Sequence, residues 1–394
     1  METPDTDGFS LPRSREANER LNALIPGGAH TYAKGDDQYP EHLAPVISHG
    51  RGAHVWDVDG NRYVEYGSGL RSVSLGHAHP RVTEAVRREL DRGGNFVRPS
   101  FVEVEAAERF LATVPTAEMV KFAKNGSDAT TAAVRLARAA TGRPRVALCA
   151  DHPFFSADDW FIGTTPMSDG IPSQTAELTL SFPYGDLAAT EELLTRYHGE
   201  IACVVLEPAT HTEPPPGYLA GLRALADRHG CVLVFDEMIT GFRWSEAGAQ
   251  SLYGVVPDLS TFGKALGNGF AVSALAGRRD LMERGGLRHP GDRVFLLSTT
   301  HGAETHALAA AMAVQTTYAR EESPPDCTRW VRSWRPGSGR PRPAWASVTM
   351  SSSGAGTATW SSPPWTSGGG PRRSTAPCSC AGCSRAGCWH RRSW

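Results

Sequence analysis

Apolar residues gather in short runs through the middle of the chain. Met119–Ala123, Arg145–Cys149, Ile201–Leu206, Cys231–Phe235, Leu259–Phe262 and Ala271–Ala276 are each four to six residues long. Runs this short predict strands. Cys231–Phe235, rich in Val and Leu, and Ile201–Leu206, like it in kind, predict strands buried in a parallel sheet. Between them apolar residues recur at helical spacing. Arg81–Arg92, Glu103–Val114, the stretch carrying Ala133, Leu136, Ala137 and Ala140, and Tyr218–His229 read as helices, the last closed by Gly230 as C-cap. The alternation from Met119 onward predicts an α/β domain with a mostly parallel sheet, right-handed crossovers and flanking helices. Upstream, Ser14–Leu24 predicts a short helix with Ser14 as N-cap, stopped by Pro26-Gly27-Gly28. Ala53–Tyr66 alternates apolar and polar residues around Asp59-Gly60-Asn61, a hairpin pattern. HGAETHALAAAMAVQTTYA, after Phe295–Thr300, predicts one more helix.

Length and charge narrow the classes. A chain of 394 residues can bury a large α/β core and a smaller second domain. A formal net charge of -2 gives no electrostatic case for nucleic acid or an anionic membrane. No apolar run approaches the roughly 20 residues of a membrane helix, and the polar N-terminus lacks an apolar signal segment. The expectation is a cytoplasmic protein. Cys149, Cys203 and Cys231 fall in or beside predicted strands as small buried apolar groups, with no disulfide framework in the body of the chain.

Candidate chemistry sits at strand ends. The run through Phe235 ends in Asp236-Glu237, and the run through Phe262 ends in Gly263-Lys264, where an open α/β sheet places its ligand crevice. A lysine of lowered pKa can form a Schiff base with an aldehyde cofactor. An aspartate can hold a pyridine nitrogen protonated and so make the ring an electron sink. The pair therefore fits pyridoxal 5'-phosphate (PLP), and equally a structural salt bridge. The strand–turn–helix at Lys124–Ala129 offers Gly126, Ser127 and a helix N-terminus to a phosphate, or else a plain N-cap by Ser127 and Asp128. VLVFDE has the form of a nucleotide-hydrolysing strand, but no phosphate-loop motif accompanies it. His77 and His79, with no third ligand nearby, read as loop residues rather than a metal site. Asp158-Asp159 reads as a surface or helix-start pair.

FDEMITGFR followed by STFGKALGNG resembles the signature of the class III aminotransferases, which are fold type I PLP enzymes, and within them the glutamate-1-semialdehyde aminomutase branch. The likeness runs from about Asn22 to about Ala319. It implies Lys264 as the Schiff-base lysine, Asp236 on the ring nitrogen, and Gly126 and Ser127 at the phosphate. It further implies Phe154 and Met238 on the two ring faces, and Thr299 reaching the phosphate of the partner subunit in a homodimer with a shared active site. DHPFFSADDWF departs from the family's Tyr-His-Gly segment, AHTYAKGDDQYPEHLAP from the aminomutase loop after the Pro-Gly-Gly turn, and His301 from a small residue. The implied activity is amino transfer between a small-molecule amino donor and an aldehyde or keto acceptor. The alternatives are an intramolecular 2,1-aminomutase, a truncated inactive member, or a non-catalytic binding subunit.

The expected layout is an N-terminal segment over 1–75, a large PLP-binding domain over 76–320, and a tail over 321–394 in place of a C-terminal αβ domain. From Glu322 the tail contains no Leu, Ile, Phe, Tyr or Lys and is full of Arg, Pro, Ser, Gly, Trp and Cys. Such a composition cannot bury enough apolar surface to order itself. It matches an out-of-frame reading of a GC-rich gene, and translating the other frames of the source DNA tests this. Cys378, Cys380, Cys383, Cys388 and His390 could alternatively form a zinc module, although their spacing is irregular.

Overall fold

The computed structural model of the chain describes residues 10–321 apart from 41, 153 and 211. The tail lies outside these residues. The six predicted strands and one more, β6, form one seven-stranded sheet in the order β4-β10-β9-β8-β7-β5-β6. Its members are β4 (Met119–Ala123), β5 (Arg145–Cys149), β6 (Thr179–Phe182), β7 (Ile201–Leu206), β8 (Val232–Asp236), β9 (Leu259–Phe262) and β10 (Ser273–Gly277). Strands β5 to β9 pair in parallel, whereas β10 runs antiparallel to both β9 and β4. All residues of β7, β8, β9 and β10 are buried, which is why their sequences are apolar on both faces. A separate antiparallel sheet holds β1 (Ile47–Arg51), β2 (His54–Asp57) and β3 (Arg62–Val64), the last two forming the predicted hairpin.

Among the described residues seven helices have ten or more residues: α1 (Pro12–Leu24), α2 (Pro80–Leu90), α3 (Phe101–Thr113), α4 (Gly126–Thr141), α5 (Leu187–Arg196), α6 (Tyr218–His229) and α7 (Thr305–Glu321). Helix α4 is Ala-rich on its buried face, so it lies close against one side of the sheet with Val146, Val205, Val234 and Leu275. On another side α7 packs on α2 and α3 over Phe110, Phe242 and Phe262. Gly230 ends α6 with φ of 62°, the left-handed C-cap its position predicts. No described helix is long and apolar enough to cross a membrane.

Ser14 is not the N-cap of α1. Pro12 occupies the first turn, where its missing N–H costs nothing, and Leu11 precedes it. Ser14 is instead buried, its Oγ donating to Asp59 at 2.6 Å, and it ties the helix to the β2–β3 turn. Asp158 precedes the short helix Asp159–Ile162, in keeping with a helix-start role.

Candidate active site

Three neighbouring strands end in charge. Glu207 follows β7, Asp236 closes β8, and Lys264 comes two residues after β9. The registers Leu206↔Phe235 and Asp236↔Thr261 bring the ends level. Both carboxylates are buried, Glu207 at 4% and Asp236 at 2% exposure. The adjacent pair Asp236-Glu237 divides, as successive residues of a strand must. Asp236 Oδ1 accepts the Met238 N–H at 2.9 Å and interacts with Lys264. Glu237 turns into the loop 240–250, where its carboxylate accepts the Ala249 N–H (2.8 Å), the Gln250 N–H (2.7 Å) and the Thr240 hydroxyl.

Burial dominates the electrostatics. It pushes Asp236 up to about 6, against the charge of Lys264 and the Met238 N–H. It raises Glu207, helped by the charge of Asp236. It holds Lys264 below the usual lysine range, with Arg71 and Arg243 acting in the same direction and Asp236 and Glu207 opposing. A lysine so placed has a larger share of reactive neutral amine at neutral pH. Its backbone adds another constraint: Lys264 has φ of 46° and Asn268 φ of 45°. Left-handed backbone at a residue with a side chain costs about 1–2 kcal/mol, and such strain collects at functional sites.

Above the strand ends lies the start of α4. Asn125 caps it reciprocally with Asp128, whose carboxylate accepts the Asn125 N–H at 2.9 Å. The Ser273 hydroxyl donates to the Asn125 carbonyl at 2.7 Å, fixing the turn to β10. Ser127 is therefore not the cap. Its Oγ accepts the Ala157 N–H at 2.9 Å, which leaves the hydroxyl proton available to an anion at the helix N-terminus. A Cβ on Gly126 would stand 3.1 Å from the Met238 sulfur, and one on Gly263 would stand 2.6 Å from the same atom. Met238 thus fills the space between the two glycines. Gly263→Ala is expected to displace it at a cost of about 1–2 kcal/mol, and Met238→Ala to remove most of that cost. A double-mutant cycle from thermal melts checks this, and additive effects would disprove the contact.

The structure brings Gly126, Asp236, Met238 and Lys264 together. Phe154 is 52% exposed and meets Phe161 edge-on at 5.5 Å between ring centroids. Thr299 is exposed in the irregular segment before α7, its carbonyl accepting the Gly302 N–H at 3.2 Å. His77 bonds the Glu65 carboxylate through Nε2 at 2.6 Å. Sequence reasoning does not single out Glu207, Arg71, Arg243 or Asn268. For Glu207 a signal exists, a carboxylate directly after a wholly apolar strand. Arg243 and Asn268 lie inside the quoted segments FDEMITGFR and STFGKALGNG, which marks their position but not their role, and for Arg71 no signal exists.

The donor set fits a phosphorylated pyridine aldehyde, with an amine of lowered pKa, a carboxylate one strand away and a helix N-terminus bearing a free hydroxyl proton. Residues 35–324 match the family model for class-III aminotransferases. The chain belongs to that family. This class III chain is 40% identical over 324 residues to a glutamate-1-semialdehyde 2,1-aminomutase of Myxococcus xanthus, covering 77% of this chain and 73% of that one. Its fold is similar to that of an omega-transaminase from Sphaerobacter thermophilus, with TM-score 0.76, 27% identity and coverage of 84% and 78%. It also resembles a glutamate-1-semialdehyde aminomutase from Pseudomonas aeruginosa in complex with PMP, with TM-score 0.68, 26% identity and coverage of 77% and 70%. The fold is thus that of the fold type I PLP enzymes, and the protein is a PLP-dependent enzyme of class III.

Glu237 gives this family member a pH signature of its own. Burial raises its carboxyl to about 7 despite three donors. A folded pKa above the unfolded one means that the native state binds more protons between the two values. The contribution to stability is present below about pH 4.5 and is lost as pH rises through about 7. Glu237→Gln places an amide against two backbone N–H groups and is expected to lower stability throughout. The gap in melting temperature between wild type and Glu237→Gln should shrink from pH 5 to pH 8. A constant or widening gap would show that the carboxyl titrates normally.

Proposed function

We propose that the protein is an aminotransferase that moves an amino group between a small-molecule donor and a separate aldehyde or keto acceptor. The observation that carries this is the placement of half-buried Lys264 beside fully buried Asp236 at adjoining strand ends. PLP supplies an electron sink for the carbanion formed at the substrate carbon. Lys264 supplies the amine that engages the cofactor's aldehyde, and its Nζ then holds and returns a proton. Asp236 keeps a positive charge on the pyridine nitrogen. The start of α4, with Gly126 and the Ser127 hydroxyl, holds the phosphate. Met238 and Phe154 would hold the ring between them. A homodimer places Thr299 at the partner's phosphate and shields the exposed Phe154, and the enzyme works in the cytoplasm.

A second reading, an intramolecular 2,1-aminomutase, is favoured by the likeness to the Myxococcus xanthus enzyme. The loop after Pro26-Gly27-Gly28, AHTYAKGDDQYPEHLAP, weighs against it. Purified holoenzyme incubated with glutamate-1-semialdehyde and no amino donor separates the two. We expect no sustained turnover until a donor amine is added. Full conversion without a donor would establish the aminomutase instead.

A further inference from the structure

Residues Ser68, Gly69, Leu70 and Arg71 have φ of 44°, 59°, 58° and 66°. They form a left-handed helical turn, closed by Arg71 N–H to the Gly67 carbonyl at 2.8 Å and Ser72 N–H to the Ser68 carbonyl at 2.9 Å. Only one of the four is a glycine, so the surroundings must impose the conformation. They do so from several sides. Glu65 accepts the Gly69 N–H at 3.0 Å. The Ser72 hydroxyl donates to the Gly69 carbonyl at 2.6 Å. The Arg243 guanidinium donates to the Arg71 carbonyl. Asn268, four residues past Lys264, accepts the Leu75 N–H at 2.8 Å and donates to the Gly76 carbonyl at 3.1 Å. The turn is therefore clamped to the loop that carries the lysine.

The result is a cation at the site. The charge of Arg71 acts on Glu207, Lys264 and Arg243 together. Among the described residues no carboxylate forms an ion pair with its guanidinium, and the residue is exposed. Arg243, the other guanidinium acting on Lys264, is committed to the Arg71 carbonyl, whereas the strained turn presents the exposed Arg71 guanidinium toward the reactive amine with no carboxylate on it, and guanidinium matches a carboxylate in bidentate geometry. We propose that Arg71 takes a carboxylate of the substrate, so that this site selects amino acids over amines that lack an acid group. The inference rests on the proposed cofactor site at Lys264 and names the substrate class of that site.

The test uses holoenzyme and a binding readout. Propionate, benzoate and succinate, with propionamide, benzamide and succinamide as neutral isosteres, are titrated while the absorbance of the bound cofactor is followed. At least one acid should bind wild type about 10–100-fold tighter than its amide, the range of a hydrogen-bonded charge pair. Arg71→Ala should abolish that preference while the cofactor band persists, and Arg71→Lys should restore part of it. Arg71→Gln, which keeps the stem, serves if the alanine variant does not fold. Absence of any acid preference in wild type, or a preference that survives both neutral substitutions, would overturn the assignment. Failure of wild type to take up pyridoxal phosphate would instead overturn the cofactor reading, and the assignment with it.

Discussion

Lys264→Ala is expected to lower turnover by about 10³–10⁴-fold and to leave no cofactor that borohydride can fix to the protein. Two roles vanish at once, since the amine that engages the aldehyde and the base that moves the proton are one nitrogen. Lys264→Arg should be equally inactive, because guanidinium stays protonated at working pH and cannot act as a nucleophile. Exogenous small amines should rescue the alanine variant in part, by supplying a base that the cavity left by the side chain can hold. Residual activity above about one tenth of wild type in either variant would exclude Lys264 from the chemistry. The lowered pKa supports the same outcome, because burial shifts this amine toward its neutral form relative to an exposed lysine.

Asp236→Asn comes next in expected size. The amide keeps the shape and can still bond the ring nitrogen, but it cannot hold a proton there by charge. Removing one preorganised electrostatic partner in a buried site costs about 10²–10³ in kcat. Cofactor should remain bound, because the phosphate end and Met238 are untouched. Asp236 is 2% exposed, so little water is present to screen the change. A variant with wild-type kcat and altered KM alone would show that this carboxylate positions the ring without tuning it.

Much of the architecture was legible because its strands are short and apolar. Cys231–Phe235 and Leu259–Phe262 could hardly be anything but central strands, and strands β8 and β9 cover Val232–Asp236 and Leu259–Phe262. Strand β6, Thr179–Phe182, gave no such signal, since it lies at the sheet edge and its Ser181 is exposed. The antiparallel course of β10 was also hidden, because a strand buried on both faces looks the same in either direction. Within the site, residues at strand ends announced themselves by charge against an apolar run. Arg71 did not. Its placement depends on a backbone turn of unusual hand held by Glu65, Arg243 and Asn268, residues as far as 197 positions away, and no local pattern encodes that. Ser14 misled for a related reason, as a hydroxyl near a helix start serves the cap or a distant loop equally well.

One contact also bears on how the chain is made. The Ser74 and Tyr318 hydroxyls meet at 2.6 Å, separated by 244 positions. On the ribosome the segment following the left-handed turn cannot acquire this partner until translation has passed α7. The turn itself can set once Arg243 and Asn268 have been made, and its tie to α7 closes last, so the segment after the turn is anchored in two stages during synthesis.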